Sequence, residues 1–297
     1  MSARAAKQLV SEALKGVGLP APFMELALLP LRQPGRLLCD ERPSRWVHLI
    51  EACCSASSGR QEFVPRISAA FEVCIAALDV LDEIQDGDQS PLVENIGVAR
   101  ALNITTALLN LAYVILSQNE GQFPDWDLGV SMSQLLAETV ISATVGQDQD
   151  LAAADSDDVT VDDAIGIARR KSGSLVGGAC CMGARLGTRD TELLAEYRDF
   201  GVHFGTMSQI ANDMHEVQAS GVTSDLQRNK ATLPLVFLRN SIRSNPNAHT
   251  NLTVQTSGAL HFAWTVFESE MLSCKRALER LETREQNVEP LQTLLDD

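Results

Sequence analysis

The chain has 297 residues, 45% of them hydrophobic, which is enough apolar material for one large core because single cores stop growing near ~250–300 residues. Its formal charge of -15 repels nucleic acid and anionic membrane surfaces, so neither is expected as a partner, and an anionic substrate would need local help from a metal, Lys or Arg. Seven cysteines include the pairs Cys53-Cys54 and Cys180-Cys181 but no CxxC and no Cys/His spacing of a zinc site, so they read as small buried hydrophobes in a reducing compartment.

The N-terminal stretch lacks the continuous apolar core of a signal peptide, and no window reads as the ~18 apolar residues of a membrane span. A cytoplasmic protein without stable membrane insertion is expected. Helical spacing runs from Ala3 to Leu29 with an interruption at Pro20-Ala21-Pro22, and Pro30 to Pro43 reads as a loop with Arg32, Arg36, Arg42 and Arg45 near its ends. Helices are then predicted over Trp46–Ala56, Val64–Gln85, Val93–Leu116 and Leu128–Ala143, the last running into Gly146-Gln147-Asp148-Gln149-Asp150-Leu151. The acidic stretch from Ala152 to Asp163 reads as a solvent loop with a helix start at Val161-Asp162-Asp163. Further helices are predicted over Asp163–Lys171, Ser174–Leu186, Asp190–Val217, Ala231–Ser241, Gly258–Leu281 and Glu289–Leu295, with loops of poor packing prospects at 217–229 and 242–256. Period-two alternation is nearly absent, so the expected fold class is an all-α bundle.

Two acid clusters stand out. Asp79, Asp82 and Asp86 are spaced three and four apart and would project from one face of a helix whose preceding residues, 69–78, are almost wholly apolar. Like charges gathered at the end of a buried helix raise one another's pKa and persist together only beside a cation; oxygen ligands of this kind suit Mg²⁺. In the second cluster, Gln209 and Asp213 are four apart, as are Asn212 and Glu216. Facing helices that each offer carboxylates make a metal site in bundles, and an oxygen-only set without His favours Mg²⁺, which keeps waters and completes its shell with substrate phosphate. A diphosphate fits such a site, its charge further offset by Lys171 and Lys230.

At this point the chain resembles the trans-isoprenyl diphosphate synthases and the class I terpene synthases that share their fold. Asp82-Glu83-Ile84-Gln85-Asp86 is similar to the first aspartate-rich motif, DDxxD, with Glu83 for the second Asp. Asn212-Asp213-Met214-His215-Glu216 is similar to the second, with Asn and Glu replacing two acids. Gly146 to Leu151 resembles the GQxxDL segment, Lys171-Ser172-Gly173 the KTG segment, and Lys230-Ala231-Thr232-Leu233-Pro234 the KxTLP segment. The resemblance covers roughly residues 35 to 290 in collinear order and implies a single helical isoprenoid synthase domain over 1–297, with 1–34 as an N-terminal helical segment and 35–297 as the core around an apolar cavity. It also implies that three Mg²⁺ ions, held by Asp82, Glu83, Asp86, Asn212, Asp213 and Glu216, grip a prenyl diphosphate. Asp82, Asp86 and Asp213 are then the catalytic acids, Lys171, Gln209 and Lys230 bind the substrate, and Cys74, Ala77 and Leu78 form part of the prenyl-chain wall. A homodimer is expected on the same grounds, with the apolar helix around 93–116 as a candidate interface.

The chain departs from elongating members of that family where they hold isopentenyl diphosphate. It has Pro34-Gly35-Arg36 in place of Gly-Lys-Arg, Ile75 in place of a His or Gln about two turns before the first motif, and Gln89-Ser90-Pro91 in place of an Arg-Arg pair after it. A second diphosphate would be poorly neutralised there. The expected function is therefore a Mg²⁺-dependent terpene synthase, a lyase that ionises a C15 or C20 prenyl diphosphate and cyclises or quenches the cation. The alternative is a short-chain trans-prenyl diphosphate synthase condensing an allylic diphosphate with isopentenyl diphosphate. Transfer to a non-diphosphate acceptor such as a peptide side chain, and a silent subunit of an active homologue, are further readings.

Overall fold

The computed structural model describes residues 2–40, 44–88, 90–117, 126–154, 156, 158–220, 231–244 and 253–296, and among them it is built of helices with no β-strand. In order these are α1 (Ser2–Gly16), α2 (Ala21–Leu31), α3 (Trp46–Ala56), α4 (Val64–Asp86), α5 (Pro91–Ile96), α6 (Val98–Ser117), α7 (Trp126–Ala154), α8 (Val161–Ala168), α9 (Ser174–Ala184), α10 (Thr191–Ser220), α11 (Leu233–Ser244), α12 (Ala259–Thr283) and α13 (Glu289–Asp296), with a 3₁₀ turn at Gln61–Phe63 and a π-helical turn at Arg169–Gly173. The chain divides into two compact units, one of residues 1–137, 179–194 and 285–297, the other of 138–178 and 195–284.

In the first unit α4 is the central helix. It packs most extensively on α6, and also on α1, α3 and α2. Its sequence from Ile67 to Ala77 is buried on every side, which is why the apolar residues there show no stripe. Arg66 is tolerated in this core because its Nη1 donates to the Ile115 carbonyl on α6 at 2.9 Å. The helix ends where Gly87 adopts a left-handed φ of 68°, a conformation that glycine enters without a Cβ clash, and the Asp88 N–H closes back on the Glu83 carbonyl at 2.9 Å. Ser90 then caps α5. Where one helix is predicted over 93–116 there are two, α5 and α6, parted at Gly97 with φ 77°. The expectation that no window reaches membrane-spanning character is also corrected. Val98–Ser117 and Leu128–Ala154 are long and apolar enough by length and composition alone. In α6 that apolar content is spent on the core, where Ala101, Ile104, Leu108, Leu111, Ala112 and Ile115 are buried. The 3₁₀ turn and α13 flank α3, and the Asn287 N–H reaches the Ala56 carbonyl at 3.1 Å.

The second unit packs Ile167, Ile210, Met214, Leu233, Val236 and Ala263 into one cluster. α7 continues to Ala154, eleven residues past the predicted end at Ala143, so the Gly146–Leu151 segment is helical and its polar groups project from a helix. α8 begins at the predicted place, with a reciprocal capping box in which the Asp163 N–H donates to Thr160 Oγ1 at 3.1 Å and the Thr160 N–H to Asp163 Oδ2 at 2.9 Å. The predicted α-helix to Lys171 instead widens into the π-turn at Arg169. Of the two predicted loops, 221–230 and 245–252 lie outside the described residues; α10 extends to Ser220 and α11 to Ser244.

Candidate active site

In the first unit, the final turns of α4 place Asp79, Asp82, Glu83 and Asp86, all half-buried. A cavity of about 350 Å³ opens beside them. Arg36, Asp79, Asp82 and Glu83 line it, and Ala76, Val80, Pro91 and Leu92 supply apolar wall. Arg36 arrives through the turn after α2, where Gly35 has φ 79° and the Leu38 N–H returns to the Leu31 carbonyl. Its Nε donates to Asp79 Oδ2 in a close ion pair. Burial pushes the Asp79 carboxyl above the usual range even against that guanidinium, with Asp82 and Glu83 adding to the rise. Two turns earlier on the same helix, Glu72 is fully buried and neither of its oxygens makes a hydrogen bond of good geometry among the described residues. Burial lifts it to about 7 against the pull of Ser44 and Arg36. Of the predicted prenyl-wall residues, Cys74 and Ala77 are buried and Leu78 half-buried, but the cavity wall is made by Ala76 and Val80 on the adjoining side of α4.

In the second unit, α10 presents Asp213 inward while Asn212 and Glu216 are exposed. A chain of hydrogen bonds holds Asp213: Ser172 Oγ donates to Gln209 Oε1 at 2.6 Å, and Gln209 Nε2 donates to Asp213 Oδ1 at 2.8 Å. Burial raises the Asp213 carboxyl to about 7, Gln209 opposing and the charges of Glu216 and Asp150 adding to it, with the Leu233 backbone N–H on its other side. Leu233 opens α11 directly after the Lys230-Ala231-Thr232 segment; Lys230 itself lies outside the described residues. Lys171 Nζ pairs with Asp150 on α7 at 2.9 Å. The π-turn carrying Lys171 and Ser172 is pressed against α7 and α10 through glycines. A Cβ on Gly146 would stand 2.3 Å from the Lys171 nitrogen, and one on Gly205 2.9 Å from the Gly173 Cα. On its far side Arg169 donates to buried Glu270 of α12 at 2.7 Å, and Glu270 also meets His203 Nδ1. His203 is thereby a structural partner, and His215 is exposed.

The donors present fit Mg²⁺. Each acid set offers only oxygen, and Asp213 is a buried carboxyl beside two other acids, an arrangement that a cation relieves. Among the described residues no three His, Cys, Asp or Glu side chains converge on one point. Mg²⁺ is usually bound through one or two carboxylates, with water and substrate phosphate as its other ligands. Sequence reasoning missed Asp150, Ser172 and the Arg36–Asp79 pair as parts of these sites. Asp150 was visible within the GQxxDL segment, and Glu72 stood out as the one charge in an apolar run.

Comparison with known proteins defines the class. Residues 41–259 match the polyprenyl synthetase family, and the chain belongs to that family. It is 30% identical over 204 residues to a geranylgeranyl diphosphate synthase of Mycobacterium tuberculosis, a match that covers 65% of this chain but 57% of that relative's length. It is 23% identical over 223 residues to the tryptophan prenyltransferase ComQ of Bacillus spizizenii, covering 72% of this chain and 75% of that one. A polyprenyl synthase of Caulobacter crescentus, solved with calcium and isoprenyl diphosphate, superposes with a TM-score of 0.77 at 17% identity over 99% of this chain and 92% of that one.

These relatives overturn the terpene synthase reading. Both curated relatives carry names for prenyl transfer, not for a lyase. The expectation rested on the missing Gly-Lys-Arg and Arg-Arg segments. Their absence bears on how a second diphosphate is neutralised and does not by itself separate a lyase from a transferase.

Proposed function

We propose that this chain is a prenyltransferase of the trans-prenyl diphosphate synthase type, which condenses a short-chain allylic prenyl diphosphate with isopentenyl diphosphate and releases diphosphate. The observation that carries the reading is the construction around Asp213, a buried carboxyl held by Gln209 and Ser172 on the turn that also carries Lys171. Bound Mg²⁺ would supply Lewis-acid stabilisation of the leaving diphosphate. Asp82, Glu83 and Asp86 on α4, and Asp213 with Asn212 and Glu216 on α10, would hold it; the number of ions, three by resemblance, belongs to this proposal. Lys171 would exchange Asp150 for a diphosphate oxygen, a charge-assisted contact that strengthens as charge develops on the leaving group. Apolar side chains of α4 would keep water from the allylic cation, and the acceptor's π-bond would attack its C1 and then lose a proton. One functional domain over 1–297, a homodimer using the exposed Val98 and Leu102 of α6, and a cytoplasmic setting complete the reading.

A second acceptor is favoured by one observation. The tryptophan prenyltransferase relative raises an indole in place of isopentenyl diphosphate. Mass spectrometry of reactions containing Mg²⁺ and geranyl, farnesyl or geranylgeranyl diphosphate separates the two. Prenyl diphosphates longer by one C5 unit, formed only with isopentenyl diphosphate, are expected. Prenylated tryptophan peptide without any elongated diphosphate would replace the first acceptor by the second, and hydrocarbon alone would refute transfer.

A further inference from the structure

The cavity beside α4 has a charge pattern that sets what can stand in it. Among the described residues lining it, Arg36 is the one cation, facing Asp79, Asp82 and Glu83. Asp82 and Glu83 belong to the set assigned to metal, which would offset their charge when bound; without ions their charge is common to wild type and Asp79 variants. Asp79 is not in that set, and its carboxylate is already committed to the Arg36 guanidinium. An anion entering the cavity must therefore share the Arg36 guanidinium with Asp79 or displace it, with that carboxylate beside it either way, and like charges at such range repel strongly in a partly desolvated site. Glu72, two turns earlier on α4, also lies within electrostatic reach of Arg36. An uncharged acceptor meets none of this opposition and gains from Ala76, Val80, Pro91 and Leu92.

Resting on the prenyltransferase reading above, we propose that Asp79 determines acceptor specificity. By occupying Arg36 it weakens the cavity's hold on a diphosphate-bearing acceptor and tilts the site towards an uncharged, apolar or aromatic one. The strength with which isopentenyl diphosphate binds is then set by the Arg36–Asp79 pair.

The test is calorimetric titration of the whole chain with isopentenyl diphosphate, in the absence of divalent metal and of any allylic partner. Wild type is compared with Asp79→Asn, with Asp79→Ser as a second replacement should the first not fold, and with Asp79→Asn combined with Arg36→Gln. Removing the competing carboxylate is expected to tighten binding at least tenfold, and the gain is expected to vanish when Arg36 is also replaced. Unchanged affinity in the folded Asp79 variants, or a gain that survives loss of Arg36, overturns the proposal. Isopentenyl diphosphate alone has no reaction to undergo, so this readout stands apart from turnover. Failure of prenyl transfer would refute the function and leave the measured effect of Asp79 on anion binding untouched.

Discussion

Glu72 is a carboxyl with both oxygens out of water in the middle of α4, and its titration gives stability a pH dependence. Its ordinary value is near 4.5 and burial lifts it to about 7. Between those values the folded chain keeps a proton that the unfolded chain has lost, so this group's contribution is greatest below about 4.5 and is lost as pH rises through 7. The shift corresponds to roughly 3 kcal/mol. Glu72→Gln keeps the shape and removes the charge. It is expected to raise the melting temperature above wild type at pH 8, with the difference shrinking towards zero near pH 5. An equal difference at both pH values would show that Glu72 is ionised and satisfied throughout. Residues of this kind were partly legible: Glu72 interrupts an apolar run, and Asp82, Asp86 and Asp213 follow helical spacing. The Arg36–Asp79 pair was not, because its members are 43 residues apart and meet only once α2 has packed on α4.

At the scale of elements, the π-turn at Arg169–Gly173 is held by α7 and α10 through contacts that leave no room for a side chain, and is tied to α12 by the Arg169–Glu270 ion pair. Gly146→Ala places a methyl against backbone rather than against a movable side-chain tip. Displacing the turn is expected to destabilise the protein by about 1–3 kcal/mol and to lower kcat at least tenfold by moving Lys171 off its position, since ångström-scale misplacement of a positioning group is felt strongly in rate. Urea unfolding and steady-state rates check both parts, and a variant with wild-type kcat would show that Lys171 needs no such support. Buried Glu270 anchors the turn's opposite side. Burial pushes its carboxyl up, yet His203 and Arg169 together bring it below the usual range. The helices themselves were well read from periodicity and caps, α8 above all. The extension of α7 to Ala154 was missed because polar motif residues look like a loop when their helix is amphipathic. Five residues are too few for a sequence pattern to tell a π-turn from an α-turn.

For the whole molecule, the ordered motifs carried the family, which the match over residues 41–259 shows. Missing basic segments do not amount to a missing second substrate. Cation loss bears on which acceptor binds, whereas the relatives speak to the reaction type. Transfer and lysis differ in one respect that can be measured directly. In transfer, diphosphate release from the allylic substrate depends on the acceptor. With farnesyl diphosphate and Mg²⁺ held constant, adding isopentenyl diphosphate is expected to accelerate diphosphate release at least tenfold, with Asp82→Ala and Asp213→Ala each losing the acceleration. Release at an unchanged rate, with or without isopentenyl diphosphate, would contradict its use as acceptor and the prenyl diphosphate synthase reading with it.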